Sequence, residues 1–143
     1  MDLADATKRV LADSFKLYLK AHNFHWNVEG PTFSSLHELF GNIYGDLYES
    51  VDVLAEEIRA MGSYAPGSFR RFDELSSIED EVEIIEWQEM IRRLLRDIDT
   101  LQDSIKIAYQ MAEDYGNHGL SNYLAERQDA LKKHSWMLRS TIK

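Results

Sequence analysis

Apolar residues recur along the chain at helical spacing in four long runs, and nowhere do they alternate as strand residues would. From about Ala4 to Val28, the positions Val10, Leu11, Phe15, Leu17, Tyr18, Leu19 and Phe24 keep this rhythm until the turn Glu29-Gly30-Pro31-Thr32 stops it. A second helix is expected from about Phe33 to Met61, with Thr32 placed to cap it and Gly62 to end it. At 1.5 Å per residue it would be on the order of 40 Å long. Between Ser63 and Asp80 lies a connection containing Pro66, Gly67 and the basic pair Arg70–Arg71, too long for a hairpin and with room for a short helix around FDELSS. A third helix is expected through VEIIEWQEM and onward to Gly116, and a fourth from about Ser121 to Thr141. Two long helices, a long link and two more long helices predict an all-α four-helix bundle with one crossover.

Composition narrows the class of protein. A chain of 143 residues is one domain's worth, so residues 1–143 are expected to share one core. No window offers the ~20 apolar residues of a membrane span, and MDLADATKRV lacks the basic start and apolar run of a signal peptide. A cytoplasmic protein without a membrane partner is the expectation. With no cysteine, disulfides, zinc thiolates and iron–sulfur ligation are excluded. The net charge of −9 argues against direct binding of DNA or RNA and suits cations.

Metal-ligand side chains gather between the end of the first helix and the end of the second: His22, His25, Glu29, His37, Glu38, Asp46, Glu49, Asp52, Glu56 and Glu57. Such nitrogen and oxygen donors suit iron, manganese or zinc. Asp52 and Glu56 share a helix face one turn apart, an arrangement that repels itself unless solvent or a cation compensates. A plain solvated acidic face fits them too. His25 and His37 bracket the turn at Gly30–Pro31, where a capping or core role is the ordinary alternative. His37 and Asp52 are fifteen residues apart on one helix, roughly 22 Å, so they cannot bind one ion within one chain. A two-fold axis near residue 45 would remove the difficulty by setting Asp52 and Glu56 of one copy opposite His25 and His37 of the other. Gly41 and Gly45 lie near that axis, where close approach of backbones tolerates glycine in a helix.

The run HNFHWNVEGPTFSSLHELF resembles the signature of the Dps family: His25-Trp26-Asn27 closes one helix, and Leu36-His37-Glu38 follows on the next. DVLAEEIRAMG, with Asp52 and Glu56, is similar to the family's Asp-x-x-x-Glu stretch, and KKHSWMLRST to its last-helix signature. The resemblance implies a ferritin-like mini-ferritin subunit that assembles into a dodecameric shell, a homo-oligomer with ferroxidase sites at two-fold interfaces. There Fe(II) is oxidised, usually by hydrogen peroxide, and Fe(III) is stored, which protects against oxidative stress. It assigns His25, His37, Asp52 and Glu56 as both catalytic residues and metal ligands, with iron as the metal and zinc or manganese as possible substitutes. It also puts Trp26 beside the centre as a radical interceptor.

Two departures from the family pattern stand out. Gly41 occupies a position where an Asp is usual, which implies a weakened or single-metal centre; His22, Asp46 and Glu49 are the residues that could help hold a second ion. In the stretch that often carries pore acids, Asn117, His118 and Asn122 appear instead, with Glu113, Asp114, Glu126 and Asp129 nearby. His118 and His134 otherwise read as surface or packing residues. These departures motivate a rival, a ferroxidase-impaired cage that binds metal passively. Lysine-rich tails, the means by which some family members bind DNA, are lacking: only Lys8 and Arg9 lie near the front. Nucleoid compaction is therefore not expected.

Overall fold

Side chains cap the starts of three of the five helices, whereas Thr32, expected to cap the second, makes no side-chain cap bond. The computed structural model describes residues 1–143. Helix α1 spans Leu3–Asn27, and it starts with a capping box in which Asp2 accepts from the Asp5 N–H while Asp5 accepts from the Asp2 N–H. Helix α2 covers Phe33–Ala60, the short α3 Phe69–Leu75, α4 Trp87–Tyr115 and α5 His118–Ile142. Ser68 caps α3 by accepting from the Arg71 N–H. Gly116, left-handed at φ 74°, closes α4, a conformation that side chains with a Cβ resist. Asn117 then caps α5 by accepting from the Leu120 N–H.

The result is the expected all-α bundle. Helix α1 packs against α2 and α4, α4 also packs against α5, and α3 lies on α1. The inward stripes carry Leu11, Leu17 and Phe24 on α1, Phe40, Leu47 and Leu54 on α2, Leu94, Ile98 and Leu101 on α4, and Leu124, Leu131 and Leu138 on α5, all buried. Each such side chain contributes about 1.5–3 kcal/mol by leaving water. Inside this apolar core, Lys20 meets Asp97 at 2.6 Å with both side chains almost fully covered, which fixes α1 against α4. Removing Asp97 would strand the buried Lys20 ammonium at a cost of about 3–5 kcal/mol, whereas Asp97 also accepts from Arg96 Nε at 3.1 Å.

The crossover differs from the sequence expectation. It runs from Met61 to Glu86, and the segment from Val82 is not helical until Trp87. Val82 and Ile84 are 83% and 71% exposed, so the apolar residues that mimic a helix start there find no core to face. The strap is instead tied down by polar groups: Glu81 pairs with Arg93, its carbonyl accepts from the Asn23 side chain, and Lys16 bridges Asp73 and Asp80 at 2.7 and 3.2 Å. The short helix lies one turn earlier than FDELSS, because Ser76 and Ser77 turn away to donate to the Asp13 carboxylate at 2.6 and 3.3 Å. Helix α5 starts at His118 rather than near Ser121, since Asn117 supplies the cap.

Candidate metal centre

The turn between α1 and α2 makes the centre. Val28 leaves the helical conformation at ψ 143° and Gly30 takes φ 128°, which a side chain would strain; an added Cβ there would also meet Trp87 at 3.3 Å. The chain thereby reverses and sets α2 back along α1. At a helix end the last carbonyls lack intrahelical partners. The Val28 N–H reaches the Phe24 carbonyl, while the His25 carbonyl is taken by a side chain: the ring Nδ1–H of His37 donates to it at 2.7 Å. In return the Nδ1–H of His25 donates to the His37 carbonyl at 2.6 Å. The two rings lie stacked, 3.7 Å between centroids and 17° apart.

These bonds fix chemistry as well as position. A carbonyl can only accept, so each Nδ1 must carry the proton, and each Nε2 is left as the ring position able to ligate a metal. A carbonyl on the far ring nitrogen is the support that metal-binding histidines ordinarily have. Gly41 belongs to the same arrangement. A Cβ there would approach Nδ1 and Cε1 of His25 to 3.1 and 3.2 Å, so the space a side chain would need is filled by the imidazole.

The acids lie at the other end of α2. Asp52 and Glu56 are both exposed, and neither has a cation within ion-pair distance. Hydrogen bonding to Asp52, together with its negative charge, pushes the Glu56 carboxyl above its usual range, so the pair is short of positive charge. Within one chain no three His, Asp or Glu side chains come close enough to hold a metal ion. The histidines and the acids are thus two separate groups within the chain, as the fifteen-residue spacing requires.

The candidates for a second ion fare differently. Asp46 stands apart from the histidines: Arg127 donates to it at 2.8 and 3.0 Å and His134 Nε2 lies 2.8 Å away. Burial alone would raise its carboxyl, but the bonds from His134 and Arg127 overcome this and hold it well below the usual carboxylate range. Asp46 therefore serves as a brace between α2 and α5, with its carboxylate oxygens engaged by Arg127 and His134. Glu49 is exposed one turn before Val53, away from His25. His22 is close to His25, with rings 6.0 Å apart, yet its Nδ1 is hydrogen-bonded to Tyr18 Oη at 3.0 Å. Burial, then the nearby His25, push the His22 imidazole below its usual value.

Around His22 is a group of aromatic residues of which the sequence singles out only Trp26. Tyr44 stacks on the His22 ring at 3.8 Å and 6°, and Trp26 covers it at 3.9 Å. Tyr18 continues the row to Tyr48 at 5.0 Å, and Tyr44 lies 5.1 Å from His25. The signal was present: Tyr18 and His22, like Tyr44 and Tyr48, are four residues apart on a helix and so share a face. In the stretch with Asn for acid, Asn117 is occupied as the α5 cap, while Asn122 and His118 are exposed, His118 lying 3.8 Å from Glu113.

Comparison with known proteins places these features in a family. The family model described as "Ferritin-like domain" matches residues 4–143. A curated relative, DNA protection during starvation protein 2 of Bacillus anthracis, is 30% identical over 138 residues, 96% of this chain and 94% of its own length. The crystal structure of a Dps protein from Bacillus brevis superposes with a TM-score of 0.94 at 30% identity, covering 99% of this chain and 95% of that one. The Dps protein from Vibrio cholerae, described as a member of a broad superfamily of ferritin-like diiron-carboxylate proteins, gives 0.94 at 27% identity over 99% of this chain and 89% of its own.

Proposed function

Given that this chain belongs to the ferritin-like family and to its Dps branch, we propose that it is an iron-storing mini-ferritin subunit whose ferroxidase sites form between copies. In this reading His25 and His37 of one subunit and Asp52 and Glu56 of its neighbour bind Fe(II), which is the substrate, and hydrogen peroxide oxidises it. The Fe(III) product collects inside a dodecameric shell. The reciprocal bonding of His25 and His37 is the observation that carries the proposal. It leaves two Nε2 positions aimed by fixed rings, while Asp52 and Glu56, lacking any cation of their own chain, supply the opposing charge.

The division of labour follows from ligand type. Two carboxylates neutralise the ferrous charge and favour the ferric product, while neutral imidazoles keep the centre from becoming too anionic to release it. Zinc or manganese would suit the same donors. Gly41 supports a centre that holds one firmly bound iron, because His25 occupies the volume an additional ligand at that position would need. The same contact favours a second reading, a cage that binds metal passively. Direct binding to DNA is not part of either reading, since a shell of twelve chains would carry twelve times −9. Cytoplasmic residence and protection against oxidative stress belong to the first.

Stopped-flow oxidation of Fe(II) by peroxide tests the choice. Wild-type protein is expected to oxidise iron much faster than buffer, with Asp52→Ala falling toward the buffer rate. A wild-type rate equal to that of buffer, with ions still bound in metal-soaked crystals, would leave the passive cage standing.

A further inference from the structure

An iron site that holds a single ferrous ion faces a shortfall of electrons. Hydrogen peroxide needs two to become water, and one Fe(II) gives one. If the second electron is not supplied nearby, the product is hydroxyl radical. The residues around His22 offer a donor. Tyr44 lies in contact range of His25, stacks on His22, and His22 is hydrogen-bonded through Nδ1 to the Tyr18 phenol at 3.0 Å. A phenol gives up an electron readily only if its proton leaves with it, and a 3.0 Å bond to a ring nitrogen is within the reach at which side chains pass protons. Burial, with Tyr48 and Tyr44 beside it, pushes the Tyr18 phenol above its usual value, so Tyr18 holds its proton until oxidised. His22 Nδ1 is the acceptor that the Tyr18 hydroxyl already faces, so the proton has a place to go without any side chain moving.

Resting on the reading that iron is oxidised by peroxide beside His25, we infer that Tyr18 and His22 form a proton-coupled electron donor to that site, with Tyr44 as the bridge. One Fe(II), one H2O2, the Tyr18 phenol and one proton yield Fe(III), two waters and a Tyr18 phenoxyl radical. The oxygen–oxygen bond breaks, peroxide is reduced by two electrons, iron and tyrosine are each oxidised by one, and the phenol proton shifts along the existing bond to His22 before it is passed on. A second Fe(II) then reduces the phenoxyl, which takes back a proton. Overall two Fe(II), one peroxide and two protons give two Fe(III) and two waters. A centre with room for one ion thus completes a two-electron reaction.

This goes beyond an aromatic that merely sits near the metal. Trp26, 58% exposed, covers His22 but has no hydrogen-bonded base to take a proton. Tyr18 has one. Tyr48, 5.0 Å from Tyr18, extends the row outward along α2.

The test is freeze-quench electron paramagnetic resonance on protein given one Fe(II) per subunit and then peroxide, with iron oxidation followed in the same samples. Wild type is expected to show a tyrosyl signal, reduced several-fold in Tyr18→Phe, while spin-trapped hydroxyl radical rises. His22→Gln, which keeps Tyr18 but replaces the base, is expected to lower the signal and slow its formation. The relay is overturned if iron is oxidised yet the tyrosyl signal is unchanged in Tyr18→Phe, or if the radical disappears only in Trp26→Phe. Absence of accelerated iron oxidation in wild type would instead remove the parent reading, and the relay with it. Tyr18→Phe keeps the ring and its packing; should it nonetheless misfold, the His22→Gln result decides.

Discussion

His25 and His37 satisfy each other's main-chain carbonyls, through ring N–H bonds of 2.6 and 2.7 Å across a single turn. The same two bonds close the end of α1, orient both imidazoles and leave both Nε2 positions free of these bonds, so the proposed function makes stability and metal binding depend on the same contacts. His37→Ala is expected to cost the metal-free protein about 1 kcal/mol, the usual net worth of one such bond. It should weaken Fe(II) binding by at least about 10-fold, since disturbing a ligand's support alone has that effect. Calorimetric melting and ferrous titration measure the two; unchanged affinity would show that His37 is only a cap.

Gly41→Ala sets two effects of opposite sign against each other. Alanine gains about 1 kcal/mol over glycine inside a helix. The added methyl, however, would stand 3.1–3.2 Å from a His25 ring that is pinned at Nδ1 and cannot swing aside, and overpacking of this kind costs about 1–3 kcal/mol. Crowding is expected to win, giving a lower melting temperature and weaker iron binding. A raised melting temperature would mean that the ring yields easily and that the histidine clamp is loose.

Asp46 makes a pH-dependent brace. Its carboxyl is held below the ordinary value of 3.8 by His134 and Arg127 against the effect of burial. A depressed carboxylate contributes stability that is complete above its unfolded value and is lost as pH falls through the folded one. Wild type should therefore lose stability below about pH 4 along this limb, and Asp46→Asn should flatten it. At neutral pH the substitution is expected to cost about 1–2 kcal/mol, the buried-pair figure discounted for the partial exposure of Asp46. Urea unfolding at several acid pH values would show it; parallel curves for the two proteins would refute the brace.

Asp13 behaves in the opposite sense. It is fully buried, its Oδ1 accepts from Ser76 and Ser77, and its Oδ2 has no partner. Burial pushes its carboxyl above the usual range despite those bonds. A raised carboxyl means the folded state holds its proton longer, so stability falls as pH rises from the unfolded value through the folded one. Asp13→Asn keeps an oxygen for Ser76 and Ser77 and removes the charge. It is expected to be neutral or stabilising by about 1 kcal/mol at neutral pH. A loss of several kcal/mol in denaturant unfolding would mean the charge is compensated by a group these bonds do not include.

The bundle was legible because long apolar stripes at helical spacing, such as Phe40, Ile43, Leu47 and Leu54, have few ways to be buried. The meeting of the two histidines was legible too, since a short turn brings His25 to His37 whatever the details. Two features were not. Val82 and Ile84 imitate a helix start, and only the missing core beneath them shows otherwise. Asp46 counts as a ligand by residue type, but its partners lie 81 and 88 residues away, a separation that residue type and local spacing do not span. The Tyr18–His22 bond sits at a spacing of four, visible in principle and overlooked because aromatic residues on a helix are usually core.

Gly45 offers the sharpest trial of the assembly. A Cβ there meets nothing within 4 Å in the single chain, so Gly45→Ala should simply relieve the helix of a flexible residue and stabilise separated chains by about 1 kcal/mol. If α2 of one copy crosses α2 of another near this residue, the methyl is placed where two backbones come closest. The penalty then falls on association: a tenfold weaker dimer for each 1.4 kcal/mol of crowding. Chemical unfolding at high dilution and light scattering across a concentration series separate the two effects. Stabilised chains that assemble less well support the axis near residue 45. Stabilised chains that assemble as before would place the contact elsewhere on α2, and Asp52 and Glu56 would then need another route to the histidines.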